Sequence, residues 1–475
     1  MPERIPTGWL VGVAIALLLP AVFLFAYTQP MFFTSPTFLG GLILLEFLFA
    51  AVWWYRRAFF PVVLVAFLFA GSALPVGGGW IVARWIFLGV GAMVGTLMML
   101  KERRHHFGSF HALATFAILA AGVSAAVSRY PGVALLKTCS LFLLFVYAGT
   151  GARIAVTGRE NQFFAGLLKG IEIFVAILTL FYLAGDEALG NPNSLGAVMG
   201  VLGPILLWGS LLEDDSSFAR RRRLALFAIT LFMAFHSHSR AGMVAAAVSC
   251  ALLCLALRRY KLLGQGIVVL LIVVAGYAVI APQAFSKTVS ELTADVVYKG
   301  KDAELGLLQS RQSPWQGAID SIRSHVWFGS GFGTTDTGLD ASADLTAFES
   351  SEKATRENGS SYLTIITWVG VLGVVPFALL LLSLLWKVVR TLLWMINTGN
   401  PYHPAIPLAM VVIAGMIHAI FEDWMFAPGY YLCVFFWSLA FVLADVAPWA
   451  PLPSFSRGWR PTLARQEVGS VAPSR

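Results

Sequence analysis

Residues 194–237 read SLGAVMGVLGPILLWGSLL, then EDDSSFARRRR, then LALFAITLFMAFHS. Two apolar stretches flank a polar connection that closes on four consecutive arginines, Arg220 to Arg223. A helix crosses a bilayer with ~20 apolar residues, since lipid offers no partner for an unsatisfied backbone group. A basic cluster between two such stretches marks the cytoplasmic side. This unit decides the fold because it recurs along the chain. Spans are read at roughly 8–27, 37–54, 58–74, 80–100, 110–127, 132–150, 163–184, 194–212, 224–237, 240–257, 264–280, 361–386, 404–421 and 430–447, several of them shorter than ~20 residues. The expected class is all-α: a polytopic membrane protein of roughly 12 to 14 transmembrane helices with one long extracytoplasmic loop.

Composition agrees. The 475 residues are 58% hydrophobic and 12% charged, with mean hydropathy +0.76, against ~25% charged in soluble proteins. That excludes an ordinary soluble protein. The net charge of +8 raises nucleic acid as a partner, but its distribution argues otherwise. With the N-terminus inside, the inner segments hold Arg4, Arg56, Arg57, Lys101, Arg103, Arg104, Arg153, Arg159, Arg220 to Arg223, Arg258, Arg259, Lys261, Lys387, Arg390 and the arginines of the tail. The short outer loops hold Arg129 and Arg240. The basic balance is therefore a topology signal with both termini cytoplasmic, and no nucleic acid is expected.

The division expected is 1–280 for transmembrane helices 1–11, 281–360 for the extracytoplasmic loop, 361–447 for helices 12–14, and 448–475 for a cytoplasmic disordered tail. The tail carries Pro448, Pro451, Pro453, Pro461 and Pro473 and few large apolar groups. The first span follows Arg4 without a small-residue cleavage site and reads as a retained helix. No repeat of ~20–50 residues is found. Cys139, Cys250, Cys254 and Cys433 lie in apolar runs and read as packing groups.

The loop of 281–360 exceeds the usual connection many times over, and such loops are functional or disordered. Within it, Ser313-Pro314-Trp315-Gln316 has the residues of a helix start, with Ser313 as cap, Pro314 at the first position and Gln316 closing a capping box. Trp315, Ala318, Ile319 and Ile322 follow at helical spacing, predicting a short amphipathic helix on the outer membrane surface. Gly329-Ser330-Gly331-Phe332-Gly333 ends it. A glycine turn can bring N–H groups to a phosphate, but no strand precedes it here, and a plain loop is the better local reading.

Polar groups at outer positions admit two readings each. Asn191-Pro192-Asn193 is a turn with a helix cap, or part of a site. His236 and His238 are interfacial histidines, or metal ligands lacking a third partner in sequence; no metal is expected. Arg240 begins a span on the side where basic residues are scarce, and an arginine fork suits phosphate. Arg84 and Lys137 sit about one turn from outer helix ends, where snorkelling explains them equally well. Lys169 and Glu172, three apart, are placed to neutralise each other. Glu422 and Asp423 are solvated or catalytic, and Trp424 reads as an interfacial anchor.

These pieces resemble the O-antigen ligase and polysaccharide polymerase-like membrane proteins. Asn191-Pro192-Asn193 is similar to that family's Asn-Pro-Asn element, and Ser239-Arg240-Ala241-Gly242 to its Ser-Arg-Gly/Ala helix start. Arg311 to Gly333, with Trp315, resembles its outer-loop arginine, helix and Gly-x-Gly turn. Gly359 to Leu363, followed by Gly370-Val371-Leu372-Gly373, is similar to its segment returning to the membrane. One departure stands out. Many members have a His-Asn pair before the Tyr-Leu, where this chain has Glu357-Asn358.

The resemblance implies a glycosyltransferase-C-like, metal-independent and cofactor-free enzyme of the bacterial inner membrane. It would move a glycan from an undecaprenyl diphosphate carrier to an acceptor hydroxyl at the periplasmic face, the acceptor being a glycan, lipid A core or protein. Arg240 and Arg311 would stabilise the diphosphate leaving group, with Arg323 and Arg84 in reserve, and Glu357 would take the place of the histidine base. Asn193, His238 and Asn358 complete the candidate binding set. Membrane lipid would house the carrier tail. The alternative is a transporter or flippase for polysaccharide or lipid-linked glycan, which calls for paired broken helices near mid-membrane. A scaffold subunit of an envelope complex is the third reading.

Overall fold

The computed structural model describes residues 46–54, 59–73, 79–102, 107–185, 188–212, 216–280, 309–334 and 359–448. The span expected at 8–27, most of the long loop and the proline-rich tail lie outside the described residues. Among those described, no strand occurs. After a helical stretch at 46–54, the helices are α1 Phe59–Ala70, α2 Gly79–Glu102, α3 Ser109–Ala126, α4 Pro131–Tyr147, α5 Arg153–Val156, α6 Glu160–Leu183 and α7 Pro192–Ser210. They continue as α8 Ser217–His236, α9 Arg240–Ala256, α10 Tyr260–Ile280, α11 Gln309–Ser324, α12 Ser361–Thr398, α13 Ala405–His418 and α14 Tyr431–Val446.

Among the described residues, six helical stretches are able by length and composition to cross a membrane: Gly79–Lys101, Ser109–Ala126, Pro131–Val156, Glu160–Leu183, Pro192–Ser210 and Ser361–Thr398. Shorter apolar helices, α1, α9, α13 and α14, pack among them. Phe116, Leu180, Phe232 and Leu382 stand exposed on the outside, an apolar surface that only lipid makes inexpensive. This is a multi-pass membrane protein. Two of its basic clusters sit on helical extensions beyond the apolar part. α8 begins at Ser217 and includes all four arginines, and α12 runs past Lys387 and Arg390 to a left-handed cap at Gly399, φ 62°.

α7, α13 and α14 form the centre. α7 is 89% buried along its apolar window, against 33% for α6. Small residues permit this, since helices in lipid gain from close backbone approach. A Cβ on Gly200 would lie 2.6 Å from the Gly242 carbonyl oxygen of α9, and one on Gly242 would overlap the Gly196 carbonyl. Gly242→Ala is therefore expected to cost ~1–3 kcal/mol from overpacking. Gly203→Ala, whose Cβ would make ordinary contact with Phe227 at 3.8 Å, should be tolerated. Thermal unfolding of both variants in detergent checks the contrast.

The segments assigned to one side by charge do meet at one end. The Ala73 N–H donates to Ala188 O at 3.1 Å, and Arg84 Nη1 to Gly429 O at 2.8 Å. Lys137 Nζ donates to Gly333 O at 2.6 Å, and Ser361 Oγ to Glu422 O at 2.7 Å. At the other end Trp208 Nε1 donates to Pro401 O at 2.8 Å, and Arg153 holds Asp445 through both oxygens. The expected Lys169–Glu172 pairing is corrected. Glu172 is buried between Arg222, at 2.5 Å, and Arg223, at 2.8 Å, while Lys169 faces outward. An arginine fork on a facing helix satisfies a buried carboxylate better than a lysine on the same exposed face.

α12 breaks at Gly370, φ 67° and ψ −176°. The freed groups are taken by the glycine-rich segment after α11. Val371 N–H donates to Val326 O at 2.8 Å, and the Ser330 and Gly331 N–H groups donate to Thr367 and Trp368 carbonyls at 3.0 and 3.1 Å. Phe332 is fully buried, 5.2 Å from the Trp368 ring. A Cβ on Gly370 would lie 2.5 Å from Gly329 N, so glycine is required on both sides of the clasp. The turn is a structural clasp, in line with the plain-loop reading.

α11 itself starts at Gln309, with Pro314 inside it. The expected cap at Ser313 is thus corrected: the helix adds a turn before the proline. Its buried side is Ala318, and Trp315 Nε1 donates to Gly359 O at 3.3 Å, so it packs on the start of α12. Trp424 is also corrected. It is 7% exposed, with Nε1 donating to His418 Nδ1 at 2.8 Å, an inward anchor and not an interfacial one.

Candidate functional site

The turn from α8 to α9 carries the densest set of candidates. α8 ends at His236 with Ser237 as its cap, whose Oγ donates to Ala234 O at 2.8 Å. His238 follows with φ 53°, a left-handed conformation, and its N–H donates to Phe235 O at 3.1 Å. Glycine adopts that conformation freely, whereas a histidine pays about 1 kcal/mol for it. Ser239 then caps α9, its Oγ accepting the Gly242 N–H at 3.3 Å. Arg240 is the first residue of that helix and is half-buried. A cation at a helix N-terminus opposes the macrodipole by ~0.3–1 kcal/mol. Both positions therefore hold side chains that local stability disfavours.

Beside this turn lies a cavity of about 230 Å³ between the ends of α6 and α8 and the start of α7. Tyr182, Asn191, His236 and His238 supply its polar wall, and Leu178 and Leu195 part of its apolar one. Asn191 Oδ1 accepts from Asn193 N at 2.6 Å and Ser194 N at 3.3 Å. The Asn-Pro-Asn element is therefore a helix cap and a cavity wall at once. His236 meets Tyr182 edge to face at 5.4 Å and lies 6.2 Å from the His238 ring. Among the described residues, no group of three or more His, Cys, Asp or Glu is arranged to hold a metal.

The remaining candidates fall in different places. Arg84 is committed to Gly429 O and lies against the Phe67 and Trp85 rings, at 5.8 and 5.3 Å. Arg323 is exposed on α11, 3.4 Å from Asp320. Asn193 is partly exposed in the first turn of α7. Arg311 belongs to α11, but its side chain, together with Glu357 and Asn358, lies outside the described residues. The structure thus joins His238 to the Asn-Pro-Asn segment, and places Arg84 beside Gly429 and Arg323 on the exposed face of α11.

Sequence reasoning passed over Tyr182, whose only signal is an aromatic at an outer helix end. It named Glu422 and Asp423 but did not join them to the polar cluster where α12 begins. There the Ser361 N–H donates to Ala419 O at 2.9 Å and Glu422 O at 3.0 Å, beside buried His418 and Asp423. Three segments distant in sequence build that cluster, so no local motif announces it.

The family described as O-Antigen ligase matches residues 225–378. The interval runs from α8 to the middle of α12 and contains Arg240, Gly242, Arg311, the glycine clasp and Gly370. The Asn-Pro-Asn element falls before it. No curated protein matches the chain.

Proposed function

From a chain that carries an O-antigen ligase domain at residues 225–378, and so stands with the ligase and polymerase-like membrane proteins, we propose a glycosyl transfer at the outer-loop end of the bundle. The donor is a glycan on undecaprenyl diphosphate, the acceptor is a hydroxyl of a glycan, lipid A core or protein, and the site faces the periplasm from the inner membrane. Both termini lie in the cytoplasm. One observation carries the reading: Arg240 opens α9 two residues after His238, which lines a cavity between the ends of α6 and α8 and the start of α7.

The chemistry suits those groups. As the anomeric C–O bond breaks, charge grows on the diphosphate oxygens, and a guanidinium beside backbone N–H groups at a helix start favours that charge. Arg311, on the loop helix, is the second cation. The acceptor hydroxyl loses its proton as it attacks, and Glu357 is the carboxylate proposed to accept it. No metal is needed for these steps. The loop segment that follows α11 is held on α12 by the clasp. Arg84 and Arg323 stay in reserve for the diphosphate.

The test is an in vitro transfer assay with purified protein, a lipid-linked oligosaccharide and candidate acceptors. Product formation supports the reading; none with any acceptor removes it. Glu357→Gln is expected to slow transfer by about 10²–10⁴-fold, the usual contribution of a general base. Wild-type rate in that variant would leave Glu357 structural.

A further inference from the structure

The cavity lined by His236 and His238 has features that packing does not explain. It is about 230 Å³, small for a drug-sized ligand but sufficient for a single sugar ring. Its lining mixes an apolar side at Leu178 and Leu195 with the aromatic faces of Tyr182 and His236. His238 Nδ1 is buried without a hydrogen-bond partner, and a buried polar atom in that state asks for a ligand or water. Asn191 spends Oδ1 on the α7 cap, which leaves its NH₂ group as a donor. His238 is held there in a left-handed backbone conformation that a glycine would adopt at no cost.

We propose that this cavity is a subsite for one sugar ring, with His238 and Asn191 bonding its hydroxyls and Tyr182 and His236 forming its aromatic wall. A sugar presents apolar C–H faces and polar edges, and this lining offers both. The proposal rests on the transfer reading and extends it, for two sources supply such a ring. One is the donor sugar attached to the diphosphate at Arg240, two residues along the chain from His238. The other is the acceptor.

Two variants test it in the full-length protein. His238→Gly removes the imidazole and relieves the backbone, so the fold is retained. Leu195→Trp fills the cavity and leaves His238 in place. Each is assayed with donor varied at fixed acceptor, and with acceptor varied at fixed donor. The expected result is a rise of about tenfold or more in KM in one arm, with kcat changed by less than about threefold, as for a lost hydrogen bond in uniform binding. A rise in the donor arm assigns the ring to the donor, and a rise in the acceptor arm to the acceptor. Unchanged KM in both arms for both variants overturns the subsite while leaving the transfer reading intact. Absence of transfer by the wild type removes both together.

Discussion

Arg240→Ala is expected to abolish glycan transfer while the protein remains at normal abundance in the membrane. The residue opens α9 at the outer-loop end and is half-buried, so its loss opens no core. Ser239 still caps the helix and Gly242 still meets Gly196. At that position the macrodipole disfavours a cation, and removing it does not weaken the helix. On the proposed mechanism the transition state, in contrast, loses a charged donor to the leaving diphosphate, a loss worth about 10²–10³-fold or more in rate. Arg311→Ala is expected to behave alike if both cations hold one diphosphate, and Arg240→Lys to recover only part of the rate, since a point charge lacks the fork. Initial transfer rates set beside immunoblots of membrane fractions decide it. Full activity in Arg240→Ala removes that residue from the mechanism.

Helices were legible in the sequence, because lipid imposes the apolar length of each crossing. Contacts between helices were not. In a soluble helix the apolar face is the buried face. Here Leu180 is exposed and Leu178 buried on the same helix, and both look alike in sequence. Pairings such as Glu172 with Arg222 and Arg223 arise between helices and cancel the intuition of neighbours three apart. Glycines were more informative than they first looked. Gly196, Gly200 and Gly242 mark a close helix crossing, and Gly329 and Gly370 a backbone clasp, so elements that resemble family motifs also have structural roles. Of the site, Arg240 and His238 were legible as polar groups on the side where such groups are scarce. Tyr182 and the Ser361–His418–Asp423 cluster were not, since no spacing connects them.

The second large effect belongs to stability. Arg153→Ala is expected to destabilise the protein by ~3–5 kcal/mol, the cost of removing one partner of a buried ion pair. Arg153 is 2% exposed and follows a π-helical turn at Ala148–Ala152. That turn adds a residue to the helical register and carries Gly151 against the Gly91 carbonyl of α2, at 2.8 Å from its Cβ position. From there the guanidinium spans three elements. It holds both oxygens of Asp445 at the end of α14, donates to Gly149 O at 3.1 Å, and donates to His111 Nε2 of α3 at 2.9 Å. Arginine only donates, so His111 accepts at Nε2 and carries its proton on Nδ1. The 3.3 Å contact from the Gly108 N–H to Nδ1 is then no full hydrogen bond. Alanine at 153 leaves the Asp445 carboxylate and the imidazole without their shared donor in an apolar bundle. Asp445→Ala strands the guanidinium instead, and because Arg153 is 2% exposed against 22% for the carboxylate, the charge left behind is the more deeply buried one and that loss is at least as large. The double variant Arg153→Met, Asp445→Leu should recover part of the stability, because the guanidinium and the carboxylate then leave together. Thermal unfolding of the four proteins in one detergent measures the cycle. Equal stability of Arg153→Ala and wild type would mean that the pair contributes nothing to holding α14 against α3 and the π turn.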